Sequence, residues 1–99
     1  MRDFLVNGTR ILTDDAIADA VVDLSRELSN RGRVEVVTFP GIVEGALATT
    51  WMSVGAGIPL LMVQADTGLP VSIAGSELAV WAIRRRRHEI EQNSTGKDR

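Results

Sequence analysis

The feature that most constrains the fold is residues 45–65, a stretch without a charged side chain. Its length suits a membrane span, which needs about 20 consecutive apolar residues. Gly55 and Pro59 interrupt it, however, and acidic residues flank it where an anchored span usually has Lys or Arg. The stretch therefore predicts two strands, Ala46–Val54 and Leu60–Ala65, in the middle of a buried sheet in a soluble domain.

Composition narrows the class of protein further. A chain of 99 residues fits one domain, because two independent cores would each be too small. The absence of cysteine excludes disulfides, a thiol nucleophile and a Cys-based zinc site. The apolar patch within residues 1–8 is too short for a secretory signal, so we expect a cytoplasmic protein. Arginine outnumbers the single lysine, which is typical of a GC-rich genome and indicates an actinobacterial or phage source.

Local patterns predict the first four elements. Asn7-Gly8 lies between short apolar runs and predicts a β-hairpin, because both residues tolerate positive φ in a type I′ turn. Thr13 is the expected N-cap of a helix over residues 14–29, where apolar residues recur at helical spacing. The β-branched residues of Arg33–Phe39 predict a strand, and Pro40-Gly41 predicts the turn that ends it.

The second half of the chain adds the remaining elements. After the two uncharged strands we expect a turn at residues 66–70, a second helix from Ser76 to about Gln92, and a flexible polar tail over residues 93–99. The order ββαβββα predicts an α+β fold of two layers. In it, a mostly antiparallel sheet of the N-terminal hairpin and three further strands is covered by two helices, all within one domain of residues 1–92.

The first helix carries a row of acids, which we call the acidic ridge. The ridge consists of Asp15, Asp19, Asp23 and Glu27. Their i+4 spacing places them opposite the apolar stripe of the helix. The ridge is either a solvated outer face or a docking strip for a basic partner surface. A metal site is not expected, because one helical row cannot surround a cation with six oxygens.

The second helix carries the opposite charge, in what we call the basic run, Arg84–Arg87. Consecutive helical residues point almost all round the axis, so the four side chains cannot share one buried face. Snorkelling arginines near a helix C-terminus would explain the run. The alternatives are nucleic-acid contact and an ionic contact of Arg84, Arg85 and Arg87 with an acidic protein surface, including the ridge of a second copy. Residues 1–83 are net acidic, which disfavours nucleic acid.

The start of the second helix, Leu78–Ile83, is apolar on every side. A helix that is apolar all round is expected to be buried all round. One interpretation is a small-domain core with Val80 incidentally exposed. The other is a homodimer interface through Val80 and Trp81, because Trp is favoured at interface hot spots and a symmetric dimer needs one self-complementary patch.

Catalytic patterns are missing from the sequence. His88 is the single histidine, and no catalytic or nucleotide-binding motif is present. We therefore expect no enzyme, no cofactor and no metal. A small-molecule pocket between sheet and helix, lined by Trp51, Met52 and Met62, is a further hypothesis.

Several segments carry a resemblance to a known family. They are Phe4–Asp15, Thr49–Met52 and Ile58–Leu60, with Pro70 and Trp81 in comparable places. In these segments the chain resembles a family of small actinobacterial proteins of about this length that have no established role and are often mislabelled as ATP-dependent DNA ligase. The first helix departs from the family pattern, since it ends in Ser29-Asn30-Arg31 instead of a Lys-Arg-Arg-type end. The resemblance implies the fold and no ligase activity, because nucleotidyl transfer needs an active-site lysine and Lys97 lies in the predicted tail.

These observations predict a non-catalytic protein–protein interaction or regulatory module that forms a homodimer. Its partner is a protein, itself or another, and no membrane is involved. Nucleic-acid contact through the basic run and a small-molecule pocket are the alternatives from other functional classes.

Overall fold

The computed structural model describes residues 1–65 and 73–97. In chain order the elements are β1 (Arg2–Val6), β2 (Thr9–Thr13), α1 (Asp15–Asn30), β3 (Val34–Val43), β4 (Ala46–Gly55), β5 (Leu61–Gln64) and α2 (Ser76–Lys97). The α+β class and the order ββαβββα are confirmed. The turn predicted at residues 66–70 lies outside the described residues. Helix α2 continues to Lys97, so residues 93–97, predicted to belong to a polar tail, are helical.

All five strands pair antiparallel in the order β4-β3-β2-β1-β5. Asn7 and Gly8 have φ values of 49° and 82°, which confirms the predicted hairpin turn between β1 and β2. Strand β5 pairs with β1, and β4 pairs with β3. The two uncharged strands therefore form the two edges of the sheet, and the prediction that they lie in its middle is wrong. The N-terminal hairpin lies inside the sheet because each of its strands pairs with a second strand: β1 with β5, and β2 with β3.

Strand β3 runs through Pro40-Gly41, where the sequence predicted a turn. The hairpin turn falls at Glu44-Gly45, so Val43 and Ala46 are the hydrogen-bonded pair that flanks it. Hydrogen-bonded and non-bonded pairs alternate along an antiparallel ladder. Pro40, opposite Thr49, falls on a non-bonded pair, so its missing N–H costs the β3–β4 ladder nothing.

The core lies on one side of the sheet, which we call the helix side. Both helices pack there against the side chains of alternate strand residues, and the ring of Phe4 meets that of Phe39 edge-on at 6.0 Å. Helix α1 buries the apolar stripe predicted for it, from Ile17 to Leu28. Its N-cap is Asp14, whose Oδ1 accepts from the backbone N–H of Ile17 at 2.9 Å. The predicted cap, Thr13, is instead the buried last residue of β2.

Gly55 fixes where β4 ends against α1. Its φ of +123° belongs to a region that favours glycine, and a Cβ there would lie 2.2 Å from the carbonyl oxygen of Arg33 and 3.1 Å from Leu28 Cβ. The chain can approach α1 this closely because glycine has no side chain. This approach brings the end of β4 against the C-terminal part of α1.

Candidate functional site

The N-terminal half of the acidic ridge is held by the start of the chain. Asp15 Oδ1 lies 2.9 Å from the N-terminal amine and 3.6 Å from Arg2 Nε. Asp19 accepts a hydrogen bond from Arg2 Nη1. The bond from the N-terminal amine holds the pKa of the Asp15 carboxyl below its ordinary value, and the nearby positive charges add to this effect.

The other half of the acidic ridge also has basic partners within the chain. Glu27 Oε2 accepts from Arg31 Nε at 2.7 Å. Asp23 lies 3.8 Å from Nη1 of Arg84, at the start of the basic run. One hypothesis from the sequence was a contact between the basic run and the acidic ridge of a second copy. The structure instead shows a contact between them, Arg84 with Asp23, within a single copy.

Arg86 makes the closest contacts of the basic run, although the sequence did not single it out. Its Nη2 donates to Glu35 Oε2 at 2.6 Å, and its Nε donates to Oε1 of the same carboxylate at 2.8 Å. This paired geometry is the stronger form of an arginine–carboxylate contact. Hydrogen bonding to Arg86 holds the pKa of Glu35 below its ordinary value, and the pKa of Arg86 is raised in turn. The pair ties α2 to β3.

The remaining arginines of the basic run differ in their surroundings. The guanidinium of Arg85 lies 5.2 Å from the ring centroid of Trp81, a cation–π distance, and its Nε lies 3.4 Å from Glu89. Nε of Arg87 is buried without a hydrogen-bond partner among the described residues. The run therefore does not form a single free basic surface.

The two residues of α2 predicted to form a dimer interface, Val80 and Trp81, differ in their burial. Val80 is half-buried and packs against the core. Trp81 remains 57% exposed, and its neighbour Leu78 is also exposed. The prediction of burial all round fails here because α2 meets the core on one side, with Ile83 and Ile90.

The side of the sheet opposite the helices carries the largest group of exposed apolar residues, which we call the open face. The open face consists of Val34, Val36, Leu47, Trp51, Leu61 and Val63. Their exposed fractions run from 37% for Val63 to 69% for Trp51. Successive strand residues point to opposite sides of a sheet, and the register places these six side chains away from Phe4 and the core. A charged pair lies on the same face, where Arg10 Nη2 donates to the buried carboxylate of Asp3 at 3.0 Å.

Two hollows border the open face. One of about 680 Å³ is lined by charged and polar residues that include Asp3, Arg10 and Glu44. The other, of about 550 Å³, lies between the end of β1 and β4. Trp51 and Met52 border the second hollow, but no helix residue does, and Met62 packs against the core instead. The three residues predicted to line a pocket between sheet and helix are therefore not brought together in one.

The outer edge of β4 has no strand paired to it within residues 1–65 and 73–97. Because Val43 and Ala46 form a hydrogen-bonded pair, hydrogen-bonded and non-bonded pairs alternate from there along the β3–β4 ladder. In four of the non-bonded pairs, the N–H and C=O of the β4 residue point away from β3, toward the outer edge of the sheet. These residues are Leu47, Thr49, Trp51 and Ser53. The strand ends at Gly55, whose C=O already accepts from the N–H of Ile58. Edge strands are usually protected by charges, proline or a bulge. Strand β4 contains no charged residue and no proline.

One buried polar atom of β4 points over β3, away from this edge, because a Cβ at Gly41 would lie 3.3 Å from it. Oγ1 of Thr50 is buried and has no hydrogen-bond partner in the part of the chain that the structure describes. Thr50 points to the helix side, opposite Phe39 of β3. A buried hydroxyl without a partner costs about 1–3 kcal/mol, so native structures usually provide one. This feature could not be found from the sequence, since it depends on which strands are neighbours.

Neither the open face nor the β4 edge is predicted from the sequence. Neither side of β4 is plainly polar, and the sequence predicts a buried strand there. The pattern is equally compatible with an apolar side that no part of the described chain covers. Neither described helix is both long and apolar enough to cross a membrane. Among the described residues, no three His, Asp or Glu side chains cluster closely enough to hold a metal ion.

No protein-family model, curated protein or solved structure matches this chain. The resemblance to the actinobacterial family stays a prediction.

Proposed function

We propose that this chain is a non-catalytic protein–protein interaction module that works as a homodimer in the cytoplasm. The observation that carries the proposal is the open face, where Trp51, Val36 and Leu47 are each at least 60% exposed. Single exposed apolar residues are normal on monomers, but exposed apolar residues grouped on neighbouring strands, as Val36 of β3 and Trp51 of β4 are, support an interaction surface.

Burial of this surface would be favourable because each apolar Å² removed from water contributes roughly 25 cal/mol. Trp51 supplies the aromatic anchor that interfaces favour, and its strand neighbours on the same face are apolar or small. The face needs no change in the fold to be covered, since both helices already lie on the other side of the sheet. These features support association through the sheet in preference to α2.

Nucleic-acid contact has weaker support. Arg84 and Arg86 lie against carboxylates of the same chain, and Arg85 lies over Trp81. A phosphate backbone would have to compete with these contacts. The small-molecule pocket also has weaker support, because its predicted lining residues do not converge.

Sedimentation of the whole chain in the micromolar range tests the proposal. We expect a dimer that Trp51→Glu converts to monomer, because a charge placed in an apolar contact must be desolvated. Trp81→Ala is the matched control: it removes the other tryptophan from α2 and leaves the dimer intact. In 1 M salt, where the Debye length falls to about 3 Å, an apolar dimer persists.

A monomer at every concentration contradicts the homodimer. Dissociation by salt, or by Trp81→Ala while Trp51→Glu has no effect, places the interface on the helices and contradicts the role of the open face.

A further inference from the structure

We infer that the larger hollow at the border of the open face binds a small zwitterion with the chemistry of a free α-amino acid. Arg10 would bind its carboxylate, and Asp3 and Glu44 its ammonium group. This hollow is not the pocket predicted between sheet and helix, because none of its lining residues belongs to α1 or α2. The inference goes beyond the proposed homodimer and does not rest on it.

The hollow lies on the sheet beside the two hairpin turns, which are at the same end of it. The turn between β1 and β2 contributes Gly8, and the turn between β3 and β4 contributes Glu44 and Gly45. Leu12 and Ile42, which pair across β2 and β3, form an apolar part of the wall. The volume of about 680 Å³ falls within the range of small-molecule sites. A ligand in this hollow would therefore meet apolar surface and charged groups together.

Asp3 supplies a buried negative charge to the hollow. Its side chain is only 9% exposed, and its one hydrogen bond among the described residues comes from Nη2 of Arg10 at 3.0 Å. A buried carboxylate is stable only when it is well paired, because it has lost the water around its charge. Each carboxylate oxygen can accept more than one hydrogen bond, so a single bond from Arg10 leaves much of this capacity unused. An ammonium group in the hollow would use it.

Arg10 supplies the positive charge. Among the described residues its guanidinium donates only through Nη2, to Asp3. The side chain of Arg10 is 70% exposed and lines the hollow, so its other N–H donors are open to a ligand. A carboxylate matches the planar fork of a guanidinium with two parallel hydrogen bonds. The contact with Asp3 thus positions Arg10 and leaves it able to bind a second carboxylate.

Glu44 adds a further carboxylate to the wall of the hollow. It is exposed and has no hydrogen-bond or ion-pair partner in the part of the chain that the structure describes. Its φ of 52° lies in the left-handed region, at a turn position where Asn, Asp or Gly is usually found. The geometry of the turn therefore does not explain a glutamate here, whereas an ammonium group in the hollow does.

Charges of both signs open into one hollow, and this selects the class of ligand. An amine without a carboxylate leaves the remaining donors of Arg10 unused. An acid without an amine meets the two carboxylates of Asp3 and Glu44. A free α-amino acid carries both groups on neighbouring atoms, and the apolar wall of Leu12 and Ile42 favours an apolar side chain. L-leucine is therefore the probe for this site.

Titration of the whole chain with L-leucine into the millimolar range, followed by the amide signals in NMR, tests the site. The amides of Gly8, Thr9 and Gly45 should shift because these residues line the hollow, while those of Leu78 and Trp81 on α2 should not. Isoamylamine lacks the carboxylate of leucine and isocaproate lacks its ammonium group. Each should bind at least about tenfold more weakly than L-leucine, because a charged group of the site then has no partner.

Two results would overturn the inference. One is the absence of a shift at Gly8, Thr9 and Gly45 with L-leucine. The other is binding of isoamylamine or isocaproate as tight as that of L-leucine, which makes the hollow a patch for simple cations or anions only. Neither result affects the homodimer, which sedimentation tests separately.

Glu44→Asn separates ligand binding from folding. Asparagine suits a turn position with positive φ, so the melting temperature should stay the same or rise. The Kd for L-leucine should rise at least about fivefold, because the ammonium group loses a charged partner. Glu77→Gln is the matched control: it removes one acid from the exposed start of α2 and should leave this Kd unchanged. An unchanged Kd in Glu44→Asn contradicts the place of the ammonium group.

Arg10→Lys tests the place of the carboxylate. Lysine keeps the positive charge beside Asp3 but lacks the planar fork, so the chain should fold and bind L-leucine at least about fivefold more weakly. Binding of isoamylamine should be unchanged, because an amine makes no use of Arg10. If Arg10→Lys weakens both ligands equally, Arg10 does not bind the carboxylate and the inference is wrong.

Discussion

The charged surfaces of the two helices differ from the neutral surface of the sheet in whether their side chains have partners within the chain. Each carboxylate of the acidic ridge has a basic partner in the same chain, and Arg86 of the basic run is paired with Glu35. The open face has no such internal covering: Trp51 is exposed beside an edge strand whose outward backbone groups have no strand partner among the described residues.

A strong charge pattern on a helix is therefore not by itself evidence of a docking surface. A charged side chain at a surface is satisfied by water, so the helices lose little if nothing binds them. An apolar face gains free energy when it is covered, at roughly 25 cal/mol per Å². The segment without charges, which looked like core material, is therefore the better candidate for association than the segments with strong charge patterns.

The largest expected difference in stability is between substitutions at two neighbouring residues of β4. Met52→Ala should lower the free energy of unfolding by about 3 kcal/mol, because Met52 is buried among core residues and its truncation leaves a cavity. Trp51→Ala, one residue away on the open face, should change the stability of the dilute monomer by less than about 0.5 kcal/mol. Urea unfolding at a concentration below the dissociation constant measures both values.

For association, the order of the two variants should be reversed. Trp51→Ala should weaken the dimer, whereas Met52→Ala should affect it only through stability. If both substitutions cost the monomer a similar amount, Trp51 is covered within one copy and the open face is not open.

A smaller effect is expected at the contact between α2 and β3. Glu35→Gln should lower the free energy of unfolding by about 1 kcal/mol at pH 7, because Arg86 loses its charged partner and solvent screens part of the interaction. Arg86 lowers the pKa of Glu35 in the folded chain, so the contribution of this group is fully present above its ordinary pKa of 4.5. It is lost as the pH falls through the folded pKa.

Urea unfolding of both proteins at pH 7 and at acid pH checks this dependence. The stability difference between the native chain and Glu35→Gln should shrink as the pH falls below 4.5, the ordinary pKa of this group. A difference that stays constant would mean that the charge of Glu35 is not what holds Arg86.

The smallest effect is expected on the acidic ridge. Asp19→Asn removes an ion pair with Arg2 whose acid is about half exposed, so it should cost less than about 0.5 kcal/mol. The dimer should be unaffected in sedimentation at low salt. Loss of the dimer in this variant would make the acidic ridge a docking strip after all and would remove the contrast between the two regions.

Much of the fold could be predicted because its signals are local. Asn7-Gly8 predicts its own hairpin turn through positive φ, and the spacing of apolar residues predicts α1 within one residue at each end. Pro40 misled the prediction because a proline ends most strands, yet it is tolerated where the N–H is not needed. Whether it is needed depends on the register with β4, which is set four residues later by the turn at Glu44-Gly45.

The candidate site was harder to predict. Trp81 and Val80 were predicted to form a dimer interface. Trp81 is exposed but Val80 packs against the core, and β4 with Trp51 was predicted to be buried. The physical reason is that an apolar strand is the same in sequence whether a helix, a second sheet or a second copy covers it. The contact between Arg86 and Glu35 joins residues far apart in the chain, and no spacing rule could have found it.

The elements, their order and the alternation of side chains along each strand follow from local sequence, because they depend on backbone geometry over a few residues. The tertiary structure decided which strands became edges, which side of the sheet the helices cover, and which charges neutralise each other. Those outcomes depend on contacts between distant segments, and each of them is set by the free energy of packing the whole chain at once.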